Sequence, residues 1–211
     1  MFITLEGPDG SGKTSQISSL AEFLTDQGYR VLTTREPGGT EIGGQIRQIL
    51  LNDARNTGMT TRTEILLFLA ARAQIVEEVI RPHLSRGGLV LSDRFGDSTL
   101  AYQGYGHGTD IDTLRQLLAF ATGGLKPDLT LLLDLDVVEG LTRRRSGGGE
   151  WNRLDAYPLE FHERVRAGYL RLAAEEPERW VIVDAARPSG QIQRDLRAIV
   201  SRRLEEQSIR L

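Results

Sequence analysis

The sequence predicts an α/β fold: a doubly wound, five-stranded parallel sheet with helices on both faces. Short apolar, β-prone runs alternate with stretches of helical periodicity along the chain. The first run, Met1 to Glu6, leads straight into Gly7-Pro8-Asp9-Gly10-Ser11-Gly12-Lys13-Thr14, which fits G-x-x-x-x-G-K-[ST]. A later run, Leu89 to Ser92, ends on an acid, Asp93, at the edge where open parallel sheets gather ligands.

Composition bounds the function. The 211 residues suit one domain spanning 1–211, and a net charge of −3 gives no case for a nucleic-acid partner. There are 0 cysteines, so neither a disulfide framework nor a thiolate metal site is available. The apolar opening ends at Glu6, too short for a signal or a membrane span, so the expectation is a soluble cytoplasmic protein with no membrane partner.

The glycine-rich loop needs its composition. Gly7, Gly10 and Gly12 allow backbone angles that aim successive N–H groups at one anion, and the helix starting near Lys13 adds its positive end. Lys13 would reach the β- and γ-phosphates of a nucleoside triphosphate, and the Thr14 hydroxyl would bind Mg²⁺. Pro8, Asp9 and Ser11 complete this ATP-binding loop.

Ile17, Leu20, Ala21 and Leu24 mark the first helix, stopped near Gly28. Tyr29 to Thr34 reads as a strand, and Arg35-Glu36-Pro37-Gly38-Gly39-Thr40 as a sharp turn, either ligand-binding or ordinary. Ile42 to Leu50 is a helix, and Asn52 to Gly58 a loop. Thr61 to Ile80 is a long helix closed by Pro82. It carries Phe68 and Arg72 on one face, a pair able to stack on a base and bond its edge, or else a core ring and a surface ion pair.

Asp93, ending the next strand, suits Mg²⁺ held through water, and Arg94 suits a second phosphate; a surface ion pair is the alternative. Phe95 to Gly104 has no strong period, and His107, in a Gly-rich turn, reads as exposed. Leu114 to Ala121 is a helix stopped by Gly123-Gly124, and Leu129 to Leu135 an apolar strand. A short helix from Val138 runs into Arg143-Arg144-Arg145-Ser146-Gly147-Gly148-Gly149, a charged, mobile segment read as a lid over phosphates (about 143–155) or as a solvated loop. Pro158 to Glu175 is a helix, Trp180 to Asp184 the last strand, and Ser189 caps the final helix.

An Asn-Lys-x-Asp guanine reader is missing and the chain is short for a motor, which leaves a small P-loop-type kinase. On the segments Phe2 to Thr14, REPGGT at Arg35 to Thr40, FLAAR at Phe68 to Arg72, DRFGDSTLAYQG at Asp93 to Gly104 and RLDAYPLEFHERVRAGYLRL at Arg153 to Leu172, the chain resembles bacterial-type thymidylate kinases. The resemblance implies transfer from ATP to dTMP with Mg²⁺, usually in a homodimer. It places Phe68 on thymine, Arg72 at its edge, Thr99 by the ring nitrogen, Tyr102 under the sugar and Arg94 on the dTMP phosphate. Arg35 or Arg47 would assist, with Pro37 and Gln103 completing the dTMP set. Asp9 would lie near the acceptor sugar and the metal, Arg143 would pack on adenine, and Glu36-Pro37 is a candidate cis peptide.

No arginine lies within Pro8 to Gly12, so the cation assisting transfer falls to the lid, as Arg145 or Arg153. The lid departs from the Asp-Arg-x-Glu of many relatives, with Asn152 and Asp155 in place of the acids. The rivals are a kinase of the same fold with another acceptor and an ATP-dependent switch protein.

Overall fold

Alternation of apolar side chains along short strands decides the layering. The computed structural model describes residues 1–52, 56–147 and 151–208. In it β1 (Phe2–Glu6), β2 (Val31–Arg35), β3 (Leu89–Asp93), β4 (Leu129–Asp134) and β5 (Trp180–Asp184) form one sheet in the order β2-β3-β1-β4-β5. Every pairing in it is parallel.

Ile3, Leu5, Leu91, Leu131, Leu133 and Val183 meet one helical layer, α1 (Lys13–Asp26) and α9 (Ser189–Ser208), through Leu20, Leu24, Leu196 and Val200. On the opposite face, Leu132 and Trp180 meet α3 (Thr61–Ile75), α6 (Ile111–Thr122) and α8 (Leu159–Glu175). Phe2 and Val90 pack there with Ile75, Ile80 and Phe95. Leu20 and Leu131 are fully buried. Cutting either to alanine costs ~2–5 kcal/mol, depending on how far the cavity collapses.

Two sequence expectations need correction. The long helix does not close at Pro82. After α3 the chain widens into π-type turns over Val76–Ile80 and continues as α4 (Arg81–Ser85), with Pro82 in that helix's first turn. Phe95 to Gly104 is helical as well: α5 (Gly96–Thr99) runs into π-type turns over Leu100–Gly106. Wider i→i+5 turns erase the 3.6-residue period on which a helix reading depends. A π-type stretch, Gln48–Asn52, also follows α2 (Glu41–Arg47), and a 3-10 turn occupies Asn56–Gly58, within the predicted loop.

Register sets the site. Leu5 and Arg35 both pair with Asp93. The exits of β1, β2 and β3 therefore share one edge, and the phosphate loop, the Arg35–Thr40 turn and Asp93-Arg94 converge there.

Candidate active site

Lys13 begins α1 and follows Gly12, which takes a left-handed φ of 86°. Gly7 and Gly10 also have positive φ, 138° and 79°. A Cβ on Gly10 would sit 2.0 Å from the Gly140 carbonyl oxygen, so side chains are excluded there by contact as well as by torsion. Lys13 Nζ donates to Gly7 O, Pro8 O and Ser11 Oγ at 2.8–3.2 Å and spans the loop it serves. Burial, and next the Arg94 charge, pull its pKa down to about 8.

Thr14 Oγ1 donates to Asp93 Oδ2 at 2.6 Å, which puts a hydroxyl and a carboxylate together beside the loop. Among the described residues no group of three or more His, Cys, Asp or Glu could hold a metal alone. Two hard oxygen donors without a protein cage fit Mg²⁺, which usually keeps waters and phosphate oxygens as its other ligands. Asp9 fits direct ligation less well, because Oδ1 accepts from Arg94 Nη2 at 2.7 Å and Oδ2 from Tyr102 OH at 2.6 Å. Burial alone would raise the Asp9 pKa, but Arg94, Lys13 and Tyr102 together bring it to about 2.

Arg94 follows β3 with a φ of 70°, unusual for a non-glycine. Its guanidinium is held on both sides. Nη1 donates to Ser98 Oγ and Tyr169 OH, and Nη2 to Asp9 Oδ1 and Tyr102 OH, at 2.7–3.1 Å.

Arg72 is not a surface ion pair. It is 1% exposed. Nε donates to Glu36 Oε2 at 2.7 Å, Nη1 to Thr99 Oγ1 at 2.8 Å and Nη2 to Phe95 O at 3.0 Å. Glu36 precedes a cis bond to Pro37. Burial raises its pKa while Arg72 opposes the shift. Phe68, one turn earlier on α3, lines the same cavity.

Gln103 Nε2 donates to Glu64 Oε1 at 2.7 Å. His107, expected to be exposed, is half-buried, with Nε2 3.5 Å from that oxygen and its ring against Tyr157 and Phe161.

Of the predicted lid's arginines, Arg143, Arg144 and Arg145 are helical, in the last turn of α7 (Val137–Ser146), and Arg153 lies in a turn. Residues 148–150 of that lid lie outside the described residues. Arg143 donates to Ala185 O and Glu139 Oε1. Arg144 makes a two-pronged contact with buried Asp155, at 3.2 and 3.0 Å. Neither sequence-based choice for the transfer arginine lines the cavity. Arg145 is exposed and lies over the Trp151 ring, 4.8 Å from its centroid. Arg153 is spent on Leu50 O, Tyr157 OH and Glu64 Oε2.

One cavity of about 470 Å³ joins these parts. Asp9, Gly10, Gly12, Lys13, Thr14, Asp93 and Arg143 line one end, and Arg35, Pro37, Arg47, Phe68, Arg72, Arg94, Thr99, Tyr102 and Gln103 the other. Gly7, Pro8 and Ser11 belong to the loop behind Lys13. Arg47 Nη1 donates to Pro37 O; burial and neighbouring Arg35 lower its pKa. Glu36, Ser98, Arg144, Asn152 and Leu154 also line the wall, and the sequence assigns none of them a binding or catalytic role. Glu36 was the most accessible of them, a carboxylate beside a proline turn and two charged strand ends.

The family model described as thymidylate kinase matches residues 5–196. Similar curated proteins include the thymidylate kinase of Roseiflexus sp. (strain RS-1), 51% identical over 95% of this chain and 93% of that protein. That of Desulfovibrio desulfuricans is 54% identical, covering 89% of each. The crystal structure of thymidylate kinase from Ehrlichia chaffeensis superposes with a TM-score of 0.77 at 34% identity, over 95% of this chain and 98% of that one.

Proposed function

The chain belongs to the thymidylate kinase family, and from that premise we propose how its residues transfer the γ-phosphoryl group of ATP to dTMP. The reaction yields dTDP and ADP. The carrying observation is the continuity of the cavity, which runs from Lys13 and Thr14 to a buried arginine and an aromatic ring, Arg72 and Phe68.

The acceptor oxygen needs no general base, since a phosphate monoester's second pKa is about 6. Catalysis is then positioning and charge neutralisation. Lys13 exchanges the carbonyls of Gly7 and Pro8 for β- and γ-phosphate oxygens. Arg94 takes the acceptor phosphate, for which Asp9 Oδ1 is the stand-in on Nη2, with Arg35 and Arg47 adding charge. Phe68 stacks on thymine, Arg72 and Thr99 bond its edge, Gln103 closes that wall, and Tyr102 lies under the sugar. Thr14, and Asp93 through water, would hold Mg²⁺, which would neutralise charge on the transferred group. Asp9 orients Arg94 and Tyr102 in preference to ligating the metal.

Arg143 packs on the adenine. The assisting lid arginine is Arg144, supported by its place in the cavity wall, whereas Arg145 and Arg153 lie outside it. Residues 1–211 act as one domain with the lid at about 143–155. No described helix is long and apolar enough to cross a membrane, and we place the enzyme in the cytoplasm, acting without a nucleic-acid partner.

A homodimer forms through residues 41–51 and 61–80, supported by exposed Ile42, Ile49 and Leu66. Sedimentation should give about twice the 23.4 kDa chain mass; a species of one chain mass would refute it.

The decisive assay is ADP release with ATP and Mg²⁺ across dTMP, dUMP, dCMP, dGMP and thymidine. Strong stimulation by dTMP with weak dUMP activity is expected, because one methyl group is worth only ~1–3 kcal/mol in a pocket. A higher kcat/KM for dCMP or thymidine would overturn the base assignments. ATP hydrolysis indifferent to every acceptor would favour a switch protein.

A further inference from the structure

We propose that Glu6 is a positioning residue for the acceptor-phosphate arginine: its buried carboxylate orients the Ser98 and Tyr169 hydroxyls so that both present lone pairs to Arg94. The proposal rests on the reading above that Arg94 holds the dTMP phosphate.

Glu6 ends β1, directly before the phosphate loop, and is 0% exposed. A carboxylate there requires donors on its oxygens. Oε1 accepts from the Phe95 backbone N–H at 2.7 Å. Oε2 accepts from Ser98 Oγ at 2.6 Å and from Tyr169 OH at 3.0 Å. Those hydroxyls also lie 2.8 Å from each other. Arg94 Nη1 donates to both, at 3.1 and 2.9 Å.

The proton count fixes the polarity of this cluster. Arg94 can only donate, and Glu6, when ionised above its pKa of about 7, can only accept. At least one of the two hydroxyls gives its proton to Glu6, and the other gives its own to Glu6 or to its neighbour. In every such arrangement no hydroxyl proton faces the guanidinium. Burial, and next Asp97, push the Glu6 pKa up to about 7, while Arg94, Ser98 and the Phe95 N–H oppose them by favouring the ionised form.

Glutamine cannot replace this group. With its amide nitrogen toward the hydroxyls, a hydroxyl proton is left pointing at Arg94. With the amide turned over, its NH₂ meets the Phe95 N–H. Glu6 thus holds one side of the guanidinium through Nη1, while the other side, on Asp9 and Tyr102, is left to exchange with phosphate.

The test is steady-state kinetics of the full chain for Glu6→Gln, Tyr169→Phe, Arg94→Ala and the doubles with Arg94→Ala, with Tm recorded for each. Glu6→Gln should lower kcat/KM for dTMP ~100-fold and leave KM for ATP within about twofold; Tyr169→Phe should cost ~10-fold. In the Arg94→Ala background both should have almost no further effect on dTMP kinetics, because a residue acting through Arg94 has nothing left to position. If Glu6→Gln does not fold, the Tyr169→Phe cycle decides alone. Losses that multiply in the doubles, or equal losses for ATP and dTMP, would overturn the proposal. Arg94→Ala that spares dTMP kinetics would instead sink the reading of Arg94 itself.

Discussion

The acceptor end and the lid end of the cavity both rely on arginines, but they hold them differently. Arg72 is bonded by Glu36, Phe95 and Thr99, all far off in the chain, and Arg94 by distant Asp9 and Tyr169 together with nearby Ser98 and Tyr102. In the last turn of α7, Arg143 bonds Glu139 four residues back together with one backbone carbonyl, and Arg145 rests on a ring. The acceptor pocket is thus part of the folded core and stands ready before substrate arrives. At the lid, the Arg143–Glu139 pair and the Arg145–Trp151 contact are exposed and of small energy, the kind that open and close cheaply, whereas Arg144 is tied to buried Asp155. On the proposed reading, such a division would fix the acceptor by preorganisation and complete the phosphoryl-transfer site late.

The largest expected effect is at the donor end. Lys13→Ala should lower kcat ~10³-fold or more, while dTMP binding by calorimetry changes by less than about threefold. Loss of dTMP affinity in step with kcat would join the two ends into one unit and break the comparison. Next comes Arg144→Ala, for which a fall in kcat of ~10²–10³-fold at nearly constant KM for dTMP is expected. Arg145→Ala should stay within about threefold of wild type. The reverse order would restore Arg145, one of the two arginines offered by the sequence.

Arg72→Ala sharpens the contrast from the other end. It leaves the Glu36 carboxylate buried without its cation, so it should destabilise the fold by ~3–5 kcal/mol in urea unfolding. It should also raise KM for dTMP and narrow the preference over dCMP. No lid arginine should show that joint loss. An Arg72→Ala protein of unchanged stability would mean that the acceptor pocket is not core after all.

How much of this was legible in the sequence follows the same division. The phosphate loop, the sheet edge at Asp93-Arg94 and the Phe68/Arg72 pair lie in short motifs whose spacing carries their geometry. The partners that hold those residues do not. Glu36 meets Arg72 across 36 residues, Ser98 meets Glu6 across 92, and Tyr169 meets Glu6 across 163. No local period encodes such pairs. The helical path of Leu100–Gly106 is not legible because π-type turns break the repeat, and the helix through Val76–Ile80 continues past the proline that sequence rules read as its stop. In the lid, three adjacent arginines look alike on paper, and only the direction of each on α7 separates Arg144, in the cavity wall, from Arg145 on Trp151.

The smallest predicted effect is a titration, and it asks how ready the donor end is. With its pKa lowered to about 8 from 10.5, Lys13 in the folded protein gives up its proton before the unfolded chain does. Between those values the unfolded state binds more protons, so this group's contribution to stability rises with pH across about pH 8–10.5. ATP should reverse the shift, since phosphate oxygens favour the charged ammonium. Nitrogen-detected NMR of the lysine side chains should therefore show Lys13 titrating near 8 in the free protein and well above that value with a non-hydrolysable ATP analogue bound. A Lys13 that titrates at the same high pH in both states would mean that its loop partners already satisfy the charge. The donor end would then be as prebuilt as the acceptor end.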